Sequence, residues 1–261
     1  MDGTAIERHG EELYHALRER FTVPPLTDRE PGITIDDAYR IQLAIVARKL
    51  EREGVRHVGK KIGVTSEVVQ TMFAVDQPDF GHLTSEMMLR DGDIVPTERM
   101  IQPRAEGEIA FVLKKDLRGP GLEPADVLAA TDCVKACFEI VDSRIRDWKI
   151  KIQDTIADNA SSGMLVVSEG AVSPGKVDLL GCRMRLEKNG AVVGTGTGAA
   201  SMGSPAAAMA WLVNTLGARG ITLGAGEIVL SGSLGPLVPA VRGDRMHLAI
   251  EGIGECSVSF G

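Results

Sequence analysis

Along the chain, apolar positions keep a helical spacing for about 55 residues and then switch to short strand-like runs. In "AIERHGEELYHALRERF", Ile6, Leu13, Leu17 and Phe21 fall on one helical face. A Pro-rich turn, "TVPPLTDREPG", leads to "ITIDDAYRIQLAIVARKLEREG", whose stripe is Ile41, Ala44, Ile45, Ala47 and Leu50. Thr34 followed by Asp37 predicts a capping box, and Gly54 a stop. "HVGKKIGVTS" then reads as strand and turn, "SEVVQTMFAV" as a short helix capped by Ser66 or Thr65, and "DQPDFGHL" as a loop. From residue 91 the runs are β-like: "DIVP", "GEIAFVL", "ACFEIVDSRI", "GMLVVSEG", "CRMRLEKNGAVVGTG", "EIVLSGSL" and "RMHLAIEGIGECSVSF". Asn189-Gly190 marks a type I′ hairpin. Two helices interrupt these runs, "EPADVLAATDCV" with Pro124 near its first position and "SPAAAMAWLVNTLGARG" with Ser204 as cap, Pro205 next and Gly217 or Gly220 closing. The expected architecture is α+β, with a small N-terminal helical segment (1–56) and a larger β-rich domain (57–261).

Composition narrows the setting. The 261 residues are 44% hydrophobic, enough for a sizeable core, and no apolar run reaches the ~18 residues of a membrane span. The charged N-terminus lacks the pattern of a signal peptide, so the cytoplasm is the expected location. A net charge of −7 without a Lys/Arg stripe argues against nucleic acid and anionic membranes as partners. Cys133, Cys137, Cys182 and Cys256 form no CxxC pair and read as reduced, buried thiols rather than a zinc site. Thirty glycines and few aromatics suit a sheet-rich fold with tight turns.

The chemistry concentrates in "IQPRAEGEIAFVLKKDL" (101–117). On a strand, Glu106 and Glu108 share one face. A solvated edge would tolerate them, but the apolar run after them sends the strand into the core. Gly107 removes the side chain from the opposite face, where something approaches closely. Buried like charges are costly, and a divalent cation is the simplest way to hold both. Glu139, flanked by Phe138 and Ile140, is the expected third ligand. Asp142 competes for that role, and pairing of Glu139 with Arg144 or Arg146 is the bland alternative. Lys60 and Lys61, Asp79 after Pro78, and His57, His82 and His247 carry no pattern that by itself demands chemistry. "GTGTGAASMG" (194–203) matches neither a dinucleotide fingerprint nor a P-loop.

An E-x-E pair, a third acid about 30 residues on, and "SGSLGPLVPAVRGD" resemble the fumarylacetoacetate hydrolase superfamily. Within it the chain is most similar to the 2-hydroxypenta-2,4-dienoate (2-oxopent-4-enoate) hydratases. "GKKIGVTS" (59–66), "VDQPDFG" (75–81), residues 101–117, "EIVDSRIRDWKIKIQDTIADNASSG" (139–163) and "LSGSLGPL" (230–237) carry the resemblance, which spans essentially the whole chain. It implies a mixed β-roll behind the helical segment and an Mg2+ or Mn2+ site on Glu106, Glu108 and Glu139. It implies an active-site lysine at Lys61, with Lys60 as the alternative, and places Asp79 in a loop over the site. Thr65, Ser161, Ser162, Ser233 and Leu234 match positions lining the substrate pocket.

The implied activity is that of a hydro-lyase adding water to 2-hydroxypenta-2,4-dienoate in aromatic meta-cleavage catabolism. Lys61 and Asp79 are the expected proton carriers. The nearest alternative is the sister 2-oxo-3-hexenedioate (4-oxalocrotonate) decarboxylase, or a subunit mainly supporting it. "AEGEIAF" and "SGSLGPL" favour the hydratase. The hydrolase branch is disfavoured because "IADNASSG" contains no lysine. A homo-oligomer is expected, and a complex with a homologous decarboxylase is compatible with the resemblance.

Overall fold

A computed structural model describes residues 1–66, 69–71, 75 and 77–261. The chain opens with α1 (Gly3–Glu19), α2 (Leu26–Arg29) and α3 (Ile35–Glu53). The capping box at α3 forms as expected: the Asp37 N–H donates to Thr34 Oγ1 at 3.1 Å, and the Thr34 N–H donates to Asp37 Oδ2 at 3.2 Å. Gly54 ends the helix at φ 66. α1 and α3 lie close together, because a Cβ on Gly10 would stand 2.7 Å from Ala44 Cβ. Glu11 braces the pair, accepting from Arg48 Nε at 2.5 Å and from Arg52 Nη1 at 2.7 Å.

The body contains β1 (His57–Gly63), β2 (Asp79–Thr84), β3 (Met88–Arg90), β4 (Ile94–Val95), β5 (Arg104–Leu113), β6 (Thr131–Val141) and β7 (Ser162–Val167). β8 (Arg183–Lys188), β9 (Ala191–Thr197), β10 (Ile228–Leu230), β11 (Val238–Pro239), β12 (Arg245–Ile250) and β13 (Gly254–Phe260) complete the strands. Three helices punctuate them: α4 (Pro124–Ala130), α5 (Ile152–Ala157) and α6 (Pro205–Ala218). A mixed eight-stranded sheet runs β2-β1-β10-β5-β6-β7-β3, with β11 added on β5. A five-stranded sheet, β4-β13-β12-β8-β9, packs on it. The expected α+β plan, helices first and a curled mixed sheet after, is what the chain adopts.

Gly107 shows how closely the sheets approach. A Cβ there would lie 2.5 Å from Leu248 Cδ1 of β12, with Met184 of β8 also in reach. The close approach expected opposite the acid pair is therefore the second sheet. α3 seals another flank, with Tyr39 stacked on Phe80 of β2 at 4.4 Å between ring centroids. Gln42 Nε2 donates to Phe80 O at 2.8 Å and to Ile156 O at 3.0 Å, so one buried amide ties α3 to both β2 and α5.

Several local expectations need correction. Asp79 is not in a loop: "DFGHLT" is a wholly buried strand, because it pairs antiparallel with β1 along its length. The helix expected over "EPADVLAATDCV" ends at Ala130, and Thr131 onward joins β6, whose β-branched and thiol side chains pack in the sheet. α5 was not foreseen, since six residues are too few to show a period. Gly220, at φ 75, follows the end of α6, whereas Gly217 sits inside it. The short helix expected over "SEVVQTMFAV" falls partly outside the described residues; within them, the Val69 N–H donates to Ser66 Oγ at 3.3 Å. The Asn189-Gly190 hairpin joins β8 and β9 as expected, with both residues at positive φ.

Candidate active site and metal centre

The ladder between β5 and β6 assembles the acids. Glu106 lies directly opposite Glu139, and Glu108 opposite Cys137, which puts all three carboxylates on one face of the sheet. Their oxygens lie within 4.8 Å of one another. Asp142, the competing third acid, is elsewhere. Its carboxylate accepts the Ile101 and Gln102 N–H groups, at 3.0 and 2.7 Å. Arg144 pairs with Asp158, not with Glu139.

β1 and β2 supply the rest of the polar face. Lys61 sits opposite Gly81 and Gly63 opposite Asp79, so Lys61 and Asp79 share the acids' side. Lys61 Nζ is 3.2 Å from Glu139 Oε1. This contact is an ion pair without the alignment of a hydrogen bond, and both Glu139 oxygens lack a hydrogen-bond partner among the described residues. Lys60 alternates to the other face, across the ladder from His82. There His82 Nδ1 and His57 Nε2 meet at 3.2 Å, so these two histidines partner each other. Gly63 makes room for Asp79: a Cβ on it would stand 2.1 Å from Asp79 Oδ1 and 3.4 Å from Lys61 Nζ.

Fixed donors orient two of the carboxylates. Glu108 Oε2 accepts the Gly232 N–H at 2.7 Å, while its Oε1 is buried without a hydrogen-bond partner among the described residues. Asp79 Oδ2 accepts from Thr155 Oγ1 at 3.1 Å, while its Oδ1 has no hydrogen-bond partner among the described residues. Thr155 is carried by α5, which Asp154 anchors to α2 by accepting Thr27 N–H at 3.0 Å and Thr27 Oγ1 at 2.7 Å.

Burial dominates the electrostatics. It lifts Glu106 to about 7, reinforced by Glu139. It lifts Glu108 well above the usual carboxylate range, reinforced by Glu139 and Glu106, and raises Glu139 against the pull of Lys61. Burial also raises Asp79, with Lys61 opposing. For Lys61 burial acts downward, but Glu139, Asp79, Glu106 and Glu108 together outweigh it and hold the ammonium form. Three buried carboxylates, two of which (Glu108 and Glu139) keep oxygens without a hydrogen-bond partner among the described residues, are a hard, anionic donor set that fits a divalent cation.

A narrow cavity of about 40 Å³ opens onto this cluster. Its polar lining includes Lys61, Thr65, Asp79, Glu106, Thr155, Ser161 and Ser233; its apolar wall includes Val64, Val141, Trp148, Ile150 and Leu237. Thr65, Ser161 and Ser233 thus reach the cavity. Ser162 instead donates to Asn159 O at 2.8 Å, and the Leu234 N–H donates to Gly107 O at 3.0 Å, fastening the C-terminal loop to β5. Sequence reasoning missed Thr155, Trp148, Ile150 and Gly232, because each reaches the site through a segment placed only by tertiary contacts.

Backbone strain gathers beside this cavity. Asn159, Ala160 and Ser161 all have φ between 51 and 54, a left-handed turn of three non-glycine residues. Arg144 clamps it: its Nε donates to Asp158 Oδ1 at 2.5 Å, its Nη1 to Ser162 O at 3.0 Å, and its Nη2 to Asp158 O. The Asn159 amide exchanges hydrogen bonds with the His82 backbone at 2.8 and 2.9 Å. The buried Ser161 hydroxyl has no hydrogen-bond partner among the described residues and lies beside the cavity.

A cluster of three buried carboxylates on a curled mixed sheet behind a helical segment defines the class. The fumarylacetoacetate (FAA) hydrolase C-terminal family model matches residues 54–260, and the chain belongs to this family. A 2-hydroxyhexa-2,4-dienoate hydratase of Comamonas testosteroni is 56% identical over 261 residues, covering 99% of this chain and 98% of that protein. A 2-hydroxypent-2,4-dienoate hydratase of Pseudomonas putida is 59% identical over 222 residues, covering 85% and 100%. A solved 4-oxalocrotonate decarboxylase from Pseudomonas putida, complexed with magnesium and adipate, superposes with a TM-score of 0.96 at 34% identity, covering 100% and 99%.

Proposed function

We propose that the chain is a divalent-metal-dependent hydro-lyase that adds water to 2-hydroxypenta-2,4-dienoate, or a close homologue, giving 4-hydroxy-2-oxopentanoate. The observation that carries this reading is the trio of buried, partly orphaned carboxylates beside Lys61 and Asp79 in a cavity with an apolar wall. The hydratases among its relatives favour it over decarboxylation. Glu106, Glu108 and Glu139 would hold Mg2+ or Mn2+. When bound, the ion supplies Lewis acidity for the carboxylate and 2-oxygen of the substrate.

The chain's own groups then have distinct tasks. The reaction needs a proton at C5, water at C4 and a proton at C3, with loss of the enol proton. Lys61 is the proton carrier nearest the acids, and a dication there would reverse the carboxylate field that now holds its ammonium form. Asp79, raised by burial and oriented by Thr155, has one free oxygen to take a proton from water. The Ser161 and Ser233 hydroxyls line the same cavity and orient the substrate.

The test is a paired assay with Mg2+ or Mn2+, with and without EDTA, on 2-hydroxypenta-2,4-dienoate and 2-oxo-3-hexenedioate. Metal-dependent hydration of the first supports the proposal; CO2 release from the second alone assigns the chain to the decarboxylase. Lys61→Ala should lower turnover by about 10²–10⁴-fold while metal affinity, measured by titration, stays nearly unchanged. Loss of metal binding in that variant would remove Lys61 from the proton role. We further propose that residues 57–261 form the catalytic unit, that the protein works as a cytoplasmic homo-oligomer, and that it belongs to meta-cleavage catabolism.

A further inference from the structure

The cavity has one cation, Lys61, and Glu139 already engages it. No other lysine or arginine lines it among the described residues, and the sequence 64–78 contains none. One arginine nevertheless stands close. Arg104 lies two residues before Glu106 on the same face of β5. Its guanidinium sits 4.6 Å from the Trp148 ring centroid. Trp148 lines the narrow cavity and also a separate cleft of about 370 Å³ that contains Arg104. The indole is therefore the shared wall between substrate cavity and arginine. It is fixed there: its Nε1 donates to Gln102 O at 3.2 Å, and Asp147 and Trp148 both adopt positive φ, at 57 and 56. Arg104 forms no ion pair with a carboxylate among the described residues, and its guanidinium is held against the indole.

We propose that Trp148 is a specificity-determining partition that restricts the site to acids with an uncharged tail, by presenting an apolar wall and keeping Arg104 behind it. A second carboxylate at the tail meets the apolar wall of Trp148, Ile150 and Leu237, with no second cation on the described lining to pair with it, and burying it unpaired is costly. Removing the indole joins the two cavities and offers Arg104 as a bidentate partner for that carboxylate. The inference rests on the proposed function, in which the substrate's other end lies at the acid cluster.

Two inert probes share one head group and differ only in the tail: 2-oxohexanoate and 2-oxohexanedioate. Their binding to the Mg2+-loaded protein is measured by calorimetry. The wild-type protein should bind the monoacid at least tenfold more tightly. Trp148→Ala should shift that ratio at least tenfold toward the diacid, Trp148→Phe should keep the original preference, and Trp148→Ala with Arg104→Met should lose the shift. Equal binding of both acids by the wild-type protein overturns the proposal whether or not any variant folds. A shift that survives Arg104→Met also overturns it. Binding of neither acid overturns the proposed function together with this inference, whereas equal binding leaves the proposed function standing.

Discussion

Two buried charge clusters lie on neighbouring elements and are built to opposite ends. Around Arg144 and Asp158 every side-chain nitrogen and oxygen finds a partner: the guanidinium donates to one carboxylate and three carbonyls, and Asp158 also accepts from the Arg144 N–H at 2.9 Å and from Ser143 Oγ at 3.2 Å. Around Glu106, Glu108 and Glu139 there are three acids for one lysine, and three oxygens, one of Glu108 and both of Glu139, have no hydrogen-bond partner among the described residues. A satisfied cluster is complete as folded, and its job is to hold backbone. An unsatisfied one is unstable unless something enters, and its job is to bind. The contrast separates structural from functional charge without reference to any relative.

The largest expected effect that tests this contrast is Glu108→Gln. Weakening the proposed cation, which would supply several kcal/mol of transition-state stabilisation, should cost about 10³-fold in turnover. Melting temperature in EDTA should stay level or rise, since a repulsive charge is gone. A lower melting temperature would mean that the acids are structural after all. Arg144→Met should do the reverse in kind. It leaves Asp158 buried and uncompensated, at about 3–5 kcal/mol of stability in urea unfolding.

Metal addition comes next. With free Mg2+ at about 100 times its dissociation constant, stability should rise by about 2.7 kcal/mol. This gain should depend on pH. Glu106 titrates near 7 in the folded chain against an ordinary 4.5, so between these values the folded state carries the extra proton. Metal-free stability from this group therefore falls as pH rises from 4.5 through 7, whereas Mg2+ binding displaces protons and strengthens over the same interval. Calorimetry in buffers of different ionisation enthalpy measures the protons released; none released would contradict the shift. The smallest effect belongs to the helical segment. Arg52 and Arg48 hold Glu11 down to about 2, so its contribution is present above 4.5 and is lost as pH falls toward 2. Glu11→Gln should flatten that acid limb slightly and leave the metal response unchanged.

The acids were legible because strand alternation is local: Glu106, Gly107 and Glu108 announce their faces within three residues. Alternation also separates Lys60 from Lys61 once the strand is placed. Thr155 and Trp148 were not legible as site residues. Thr155 depends on Asp154 reaching Thr27, 127 positions away, and Trp148 on a left-handed backbone that no propensity favours. Pro78 and Asp79 are turn-forming residue types and point to a loop, and pairing with β1 overrides that local cue. Features set by nearest neighbours could be read, while those set by closure of the fold could not.

The left-handed turn at Asn159–Ser161 has a consequence for anyone redesigning this scaffold. Glycine at 160 would accept that backbone without strain, and a stability-guided library would favour the change. It would also free the turn to sample other shapes, so Ser161 would wander relative to the acids. The same three residues thus set thermal robustness against the placement of Ser161 at the cavity, and selection for heat resistance alone should drift toward a sturdier turn that holds Ser161 less firmly.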